Sequence, residues 1–287
     1  MPNASSTLMM KIGKREDEME LTVLTYNTLF GGRDGADDRR ASAQIALIEE
    51  LRPDVFLMQE AKGFDAAGGA LLHALETRIG MRGFLALAPR TGQHTAIFIR
   101  EPLKPLSFEQ DGVNFHHALA ILEVTAPTFH APITLFSAHL CPNGPAVRRR
   151  EAAYLAVRAA PESFALLAGD FNSASPHDPE PEGFASLPAH HRARYLGEDL
   201  QTADRSVLVH LEAAGWVDLG HALGKAGSPT VPTTDFADTE FATMRCDYVM
   251  TSQALARHAQ SYEVIRTPLS DTASDHYPVF VRFGRKL

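Results

Sequence analysis

Short apolar runs that stop at polar residues recur along this chain. Leu21-Thr22-Val23-Leu24-Thr25-Tyr26 is apolar and β-branched, and it predicts a strand that ends in a loop from Asn27 to Gly32. Asp37-Asp38 start a helix through Arg39 to Leu51, where Ala43, Ile45, Ala46, Ile48 and Leu51 give a mixed apolar face and Pro53 marks the end. Val55 to Met58 reads as a buried strand that stops at Gln59-Glu60. Leu71, Leu72, Leu75 and Ile79 form one stripe of a helix predicted from Ala66 to Ile79.

From residue 84 the pattern changes to hairpins. Strands are expected at Phe84 to Ala88, Thr95 to Ile99, Ala118 to Val124 and Ile133 to Ala138, the last ending in His139-Leu140. A helix runs from Pro145 through Arg158, with proline in its first turn. Phe164 to Ala168 is the next strand. Ser173 to Gly197, rich in Pro, Ala and His, reads as irregular. Leu208, Leu211 and Ala214 predict a helix ending at Gly215, and strands follow at Cys246 to Met250, Tyr262 to Arg266 and Val279 to Phe283.

Helices and hairpins mix here without regular βαβ alternation. Two sheets packed face to face with helices outside use such elements naturally, which makes the fold class α+β. There is no internal repeat, low-complexity tract or credible linker. We therefore expect a flexible tail over residues 1–20 and one domain over residues 21–287, taken as a monomer.

Composition narrows the function. Of 287 residues, 45% are hydrophobic and 22% charged, enough for a large core. The formal charge of −8 argues against a long duplex footprint, because phosphate-backbone binding usually shows a basic surplus. Two cysteines, Cys141 and Cys246, suggest neither a disulfide framework nor a zinc cluster. The polar N-terminus lacks the apolar core of a signal peptide, and no run approaches membrane-span length, so a cytoplasmic location is expected. Asn3-Ala4-Ser5 fits a glycosylation acceptor pattern, which without secretion reads as chance.

The chemistry lies where strands end. Leu166-Leu167-Ala168 feeds Gly169, then Asp170-Phe171-Asn172. Strand alternation would set Asp170 and Asn172 on one side and Phe171 on the other, and Gly169 would let a backbone or ligand approach. The plainer alternative is a turn in which Asp and Asn bond their own backbone. Other strands end in, or are flanked by, Asn27, Glu60, His139, Asp247 and Asp275-His276. Each alone has an ordinary explanation as a turn residue, a solvated acid or a core histidine. Together they supply four carboxylates, two amides and two histidines. That set suits metal-assisted hydrolysis. Mg²⁺ takes one or two carboxylates plus waters and substrate oxygens, and a histidine paired with a carboxylate takes a proton or donates to phosphate.

Six motifs carry a resemblance: Tyr26-Asn27, Met58-Gln59-Glu60, Ser137-Ala138-His139-Leu140, Gly169-Asp170-Phe171-Asn172, Arg245-Cys246-Asp247-Tyr248 and Ser274-Asp275-His276-Tyr277-Pro278. Their order over residues 21–283 resembles the endonuclease/exonuclease/phosphatase family, which includes pancreatic-type deoxyribonucleases, abasic-site endonucleases, inositol polyphosphate 5-phosphatases and bacterial sphingomyelinases. The resemblance implies a four-layer αββα sandwich with its site where the two sheets meet at one end. It also implies Glu60 as the principal Mg²⁺ (or Mn²⁺) ligand, with Asn27 and Asp275 beside it. Asp170, helped by Asn172, would orient or deprotonate water. His276, held by Asp247, would bind the scissile phosphate or transfer a proton, and His139 would contact the phosphate.

The implied activity is Mg²⁺-dependent hydrolysis of a P–O ester, in the first place a phosphodiester. Open alternatives are a nuclease acting on DNA or RNA, a phosphomonoesterase of a small phosphorylated metabolite or lipid headgroup, and a catalytically silent binding protein of the same fold. Several departures from the family bear on the choice. Leu29 stands where abasic-site endonucleases carry an acid, and only Pro142-Asn143-Gly144 stands where 5-phosphatases have longer, lysine-rich segments. Arg148-Arg149-Arg150 reads either as a solvated face or as a phosphate contact. His116-His117 and His190-His191 read as surface or satisfied histidines, or as pocket lining.

Overall fold

The computed structural model describes residues 20–237 and 241–284; the expected tail and Asn3-Ala4-Ser5 lie outside them, except for Glu20. The strands are β1 (Leu21–Asn27), β2 (Val55–Gln59), β3 (Arg82–Ala86), β4 (Thr95–Ile99), β5 (Lys104–Asp111), β6 (Leu119–Thr125), β7 (Ile133–His139), β8 (Phe164–Asp170), β9 (Val217–Asp218), β10 (Asp247–Thr251), β11 (Ala259–Val264) and β12 (Val279–Phe283). The helices are α1 (Arg39–Leu51), α2 (Ala70–Ile79), α3 (Pro145–Ala156), α4 (Ala189–Arg192), α5 (Ser206–Ala213), α6 (Leu219–Ala222), α7 (Gln253–Ala256) and α8 (Pro268–Ala273).

Two six-stranded mixed sheets form, in the orders β11-β12-β1-β2-β4-β3 and β5-β6-β7-β8-β10-β9. Strand alternation sorts their side chains into layers. Val23, Leu57 and Val281 of the first sheet meet Leu122, Leu135, Leu166 and Val249 of the second in the central core. Their neighbours Leu24, Phe56, Met58 and Phe280 face the other way, onto Leu47 and Ile48 of α1 and Leu75 and Ile79 of α2. Phe136, Leu167, Tyr248 and Met250 likewise pack beneath α3 and α5, on Leu155, Leu208 and Leu211. The result is the expected α+β sandwich of two sheets with helices on both outer faces. A fourth apolar cluster, including Phe184, Tyr195, Val231, Met244 and Cys246, lies beneath the irregular segments that approach the second sheet.

Among the differences from the sequence expectation, three bear on the layout of the sheets and the site. The helix expected from Ala66 begins at Ala70, because Gly68 and Gly69 adopt φ of 68° and 79° after a short 3-10 turn. Strand β5 was not anticipated: it is an edge strand, mostly exposed, with a proline and several charged residues that hide its alternation. Finally, β1, β7 and β8 run one or two residues further than expected. Asn27, His139 and Asp170 are therefore the terminal residues of their strands and are fixed by sheet register.

Candidate active site

Register brings the chemistry together. Parallel pairing sets Asn27 opposite Gln59, one residue before Glu60. In the second sheet, His139 pairs with Asp170 across β7 and β8, and Asp170 pairs with Asp247 across β8 and β10. Asp275 and His276 sit in the connection between α8 and β12. Inside the sandwich, Gln59 Nε2 donates to Ser137 Oγ across the sheets at 3.1 Å. Gly169 makes the close pairing possible: its φ is 144°, and a Cβ there would lie 1.8 Å from the Ala138 carbonyl oxygen. The group that approaches this glycine is thus backbone.

On the first-sheet side, Asn27 Nδ2 donates to Glu60 Oε1 at 3.3 Å and to Asp170 Oδ2 at 3.1 Å. Asn27 Oδ1 accepts the Leu29 N–H, and Glu60 Oε2 accepts the Phe30 N–H at 3.0 Å. Ser274 Oγ lies 2.7 Å from the Asn27 carbonyl oxygen and 3.2 Å from Asp275 Oδ1. Burial pushes the Glu60 carboxyl up to about 7, and the charge of Asp275 adds to the shift. Asp275 is raised by its own burial and by Asp170, with His276 pulling the other way. Two buried acids repel here, and among the described residues neither forms an ion pair with Lys or Arg. A concentration of hard oxygen donors with no Lys or Arg paired to it, and His276 as the neighbouring positive group, fits a divalent cation.

On the second-sheet side, Asp170 Oδ1 accepts the Asn172 N–H at 2.9 Å, which closes a turn. Simple strand alternation therefore stops at Asp170. Asn172 has φ of 48°, and its Nδ2 donates to the Leu140 carbonyl at 3.1 Å, while Phe171 enters the apolar core. Asp170 Oδ2 is 3.4 Å from His139 Nε2 and 3.6 Å from His276 Nε2. Asp247 Oδ2 holds His276 Nδ1 at 2.8 Å, and the other carboxylate oxygen of Asp247 has no partner among the described residues. Burial disfavours a charge on His276, yet Asp247, Asp170 and Asp275 outweigh it and raise its pKa well above the ordinary value. Burial and the charge of His276 push His139 down to about 3, so its imidazole is neutral at pH 7. Asp170, Asp247 and His276 also bring ligand-type atoms within 4.8 Å of one another. The 2.8 Å bond between Asp247 and His276 already occupies His276 Nδ1, and a protonated imidazole has no lone pair left for a cation.

The structure thus brings all eight of the strand-end residues into one buried cluster. One neighbour was not singled out as part of it. His117, 3% exposed, stacks on the His139 ring at 4.2 Å between centroids and 25° between planes. Its Nδ1 lies 2.9 Å from Thr91 Oγ1. The adjacent pair His116-His117 was the available signal, but nothing in its spacing linked it to His139. The arginine run also resolves. Arg148 is wholly buried and bonds Ser173 Oγ, the Cys141 carbonyl and the Arg194 carbonyl, while Arg149 pairs with Glu198 and Arg150 reaches the Asn114 carbonyl. These bonds brace the loops after β7 and β8. At the Glu60 side, Lys62 Nζ sits 4.5 Å over the Phe30 ring. Left-handed backbone at Leu29, Phe30, Glu60 and Asn172 concentrates strain around the cluster, which is common at functional sites.

Comparison with known proteins agrees with this architecture. No curated protein sequence matches the chain. Among solved structures, D. rerio TDP2 complexed with single strand DNA product has 17% identity and a TM-score of 0.65, covering 93% of this chain and 99% of that one. An AP endonuclease from Archaeoglobus fulgidus has 18% identity and a TM-score of 0.65, covering 92% and 99%. The mannosyl-6-phosphatase of Bacteroides thetaiotaomicron has 18% identity and a TM-score of 0.63, covering 91% and 98%. At these identities the likeness is one of fold. The model of the endonuclease/exonuclease/phosphatase family matches residues 24–276, so the chain belongs to that family of phosphoester hydrolases.

Proposed function

We propose that this protein is a divalent-metal-dependent phosphodiesterase that hydrolyses a P–O ester by in-line attack of water. The observation that carries the reading is the position of Asp170 Oδ2. It lies 3.1 Å from Asn27 Nδ2, 3.4 Å from His139 Nε2 and 3.6 Å from His276 Nε2, with the Glu60 and Asp275 acids beside it. A base, two imidazoles and an oxygen-rich cation site converge on one small volume.

Glu60 and Asp275 would hold the cation, Mg²⁺ or Mn²⁺, and Asn27 would tie them to Asp170. When bound, the cation supplies charge stabilisation to a phosphoryl oxygen and the leaving group. Asp170 accepts the proton of the attacking water, oriented by its bond from Asn172. His276, kept cationic by Asp247, donates from Nε2 to a non-bridging phosphate oxygen. Neutral His139, whose Nε2 lies 3.4 Å from Asp170 Oδ2, donates to the same group. This divides the labour between Asp170 and His276: a histidine held protonated by three acids is poorly suited to act as the base.

A diester suits the limited set of phosphate donors proposed here. Arg90 and Arg194 already donate to the Val113 and Pro142 carbonyls and Lys62 lies over the Phe30 ring, so His276 and His139 are the groups assigned to the phosphate. A singly charged diester asks less of such a site than a doubly charged monoester. The test is a panel with Mg²⁺ or Mn²⁺, containing an aryl phosphodiester, an aryl phosphomonoester, single-stranded and duplex DNA, RNA and choline phospholipids. Turnover of the aryl diester well above the monoester supports the reading, and the reverse order overturns it.

A further inference from the structure

A second cavity opens between α1, α2 and the outer face of the first sheet. Its volume is about 290 Å³. Ile45, Ile48, Phe56, Met58, Leu71 and Leu75 form its apolar walls, and Arg33 and Arg78 also line it. None of the proposed catalytic side chains lines it, so it is distinct from the carboxylate cluster.

Arg33 supplies the second observation. Asp34 and Asp37 are its neighbouring acids, but Arg40 takes Asp34 and Arg39 takes Asp37. Arg33 is half-buried and forms no hydrogen bond or ion pair among the described residues. Arg78 pairs with Glu49 on the surface. A guanidinium with no partner among the described residues beside an apolar cavity has its donors open to an anion. Apolar walls with one convergent charged group are the usual make-up of a small-molecule site.

We propose that this cavity binds a monoanionic amphiphile, with its apolar body between α1 and α2 and its carboxylate-type head on Arg33. At a water's liquid share of about 30 Å³ per heavy atom, the cavity holds on the order of ten heavy atoms. An eight-carbon carboxylate has that size. The ligand would also touch the active-site loop, since Thr28 and Gly31 line the cavity and Phe30 between them bonds Glu60.

Titration calorimetry with octanoate, below its micelle concentration, and with uncharged 1-octanol tests the site independently of any hydrolysis. The full chain is used as wild type, Arg33→Gln and Ala74→Trp. Ala74 is an exposed lining residue on α2, so tryptophan there fills the mouth without invading the core. Thermal melts confirm that each variant is folded. The expected result is octanoate bound at least tenfold tighter than octanol by wild type, that preference lost in Arg33→Gln, and both ligands lost in Ala74→Trp. Absence of octanoate binding, equal affinity for octanoate and octanol, or binding unchanged by both substitutions overturns the proposal.

Discussion

Asn27 and Asp170, 143 residues apart in sequence, meet through a 3.1 Å side-chain hydrogen bond that joins the ends of the two sheets. The same Asn27 amide nitrogen reaches Glu60, so one side chain spaces the proposed base from the proposed cation ligand. Asn27→Ala should lower turnover by about two orders of magnitude or more, since misplacing reacting groups by about 1 Å costs that much. Circular dichroism should show the fold intact. Steady-state kinetics showing near-normal turnover would remove Asn27 from the site.

On the proposed mechanism the pair Asp247 and His276 sets the alkaline limit. That mechanism requires protonated His276, so turnover should fall as pH rises through its pKa, which lies well above the ordinary histidine value. Asp247→Asn removes the largest of the charges that raise it and should shift the alkaline limb to lower pH. A pH–rate profile in which that limb stays in place contradicts the cationic role. Replacing His276 by Ala should lower turnover by about 10²–10⁴-fold with folding preserved.

On the proposed assignment, Glu60 couples metal affinity and stability to pH. Its pKa is raised from 4.5 to about 7 in the folded protein. In the metal-free protein this favours folding below the unfolded value and is lost as pH rises through about 7. At about 1.4 kcal/mol per unit, the shift corresponds to about 3 kcal/mol. A divalent cation requires the ionised carboxylate, so its stabilisation grows over the same window. Melting curves with and without Mn²⁺ should show a small increase in Tm at pH 5 and a larger one at pH 8. Equal increases at both pH values would be inconsistent with Glu60 as a ligand.

Gly169 is a structural requirement of the site. Gly169→Ala places a methyl group against the Ala138 carbonyl and forces an unfavourable φ on the new side chain. The expected outcome is loss of soluble protein, or a transition in urea shifted by about 4 kcal/mol or more. A variant as stable as wild type would mean that β7 and β8 can separate at this point.

Much of this arrangement was legible because each catalytic candidate ends or adjoins an apolar run, and sheet register converts such ends into neighbours. Asp170, His139 and Asp247 are adjacent in space for that reason alone. Asn172 was legible as a residue, while its setting was not. A left-handed turn after Asp170, closed by the Asp170 carboxylate itself, replaces the alternation expected of a longer strand. The turn interpretation therefore describes the backbone, and it leaves both side chains within the buried cluster. Arg148 reads from the sequence as a solvated or a phosphate-contacting cation, yet its guanidinium is satisfied by two carbonyls and a hydroxyl from three loops. Periodicity carries no information about such loop contacts. The place of His117 is hidden from the sequence for the same reason: its stacking on His139 depends on the β6–β7 pairing and on Thr91 from another connection. Strand β5 carries no readable signal because edge exposure removes its hydrophobic alternation.

Substitution of Glu60 by Gln is the most direct test of the central claim. The change keeps side-chain size and one oxygen acceptor but removes the charge that a cation needs. Hydrolysis of an aryl phosphodiester should be measured against Mg²⁺ and Mn²⁺ concentration for wild type and Glu60→Gln, with a chelator control. The account predicts metal-stimulated turnover in wild type, abolished by the chelator, and turnover reduced by at least about 10³-fold in the variant across the metal range. Near-wild-type turnover in Glu60→Gln, or wild-type activity indifferent to the chelator, would contradict it.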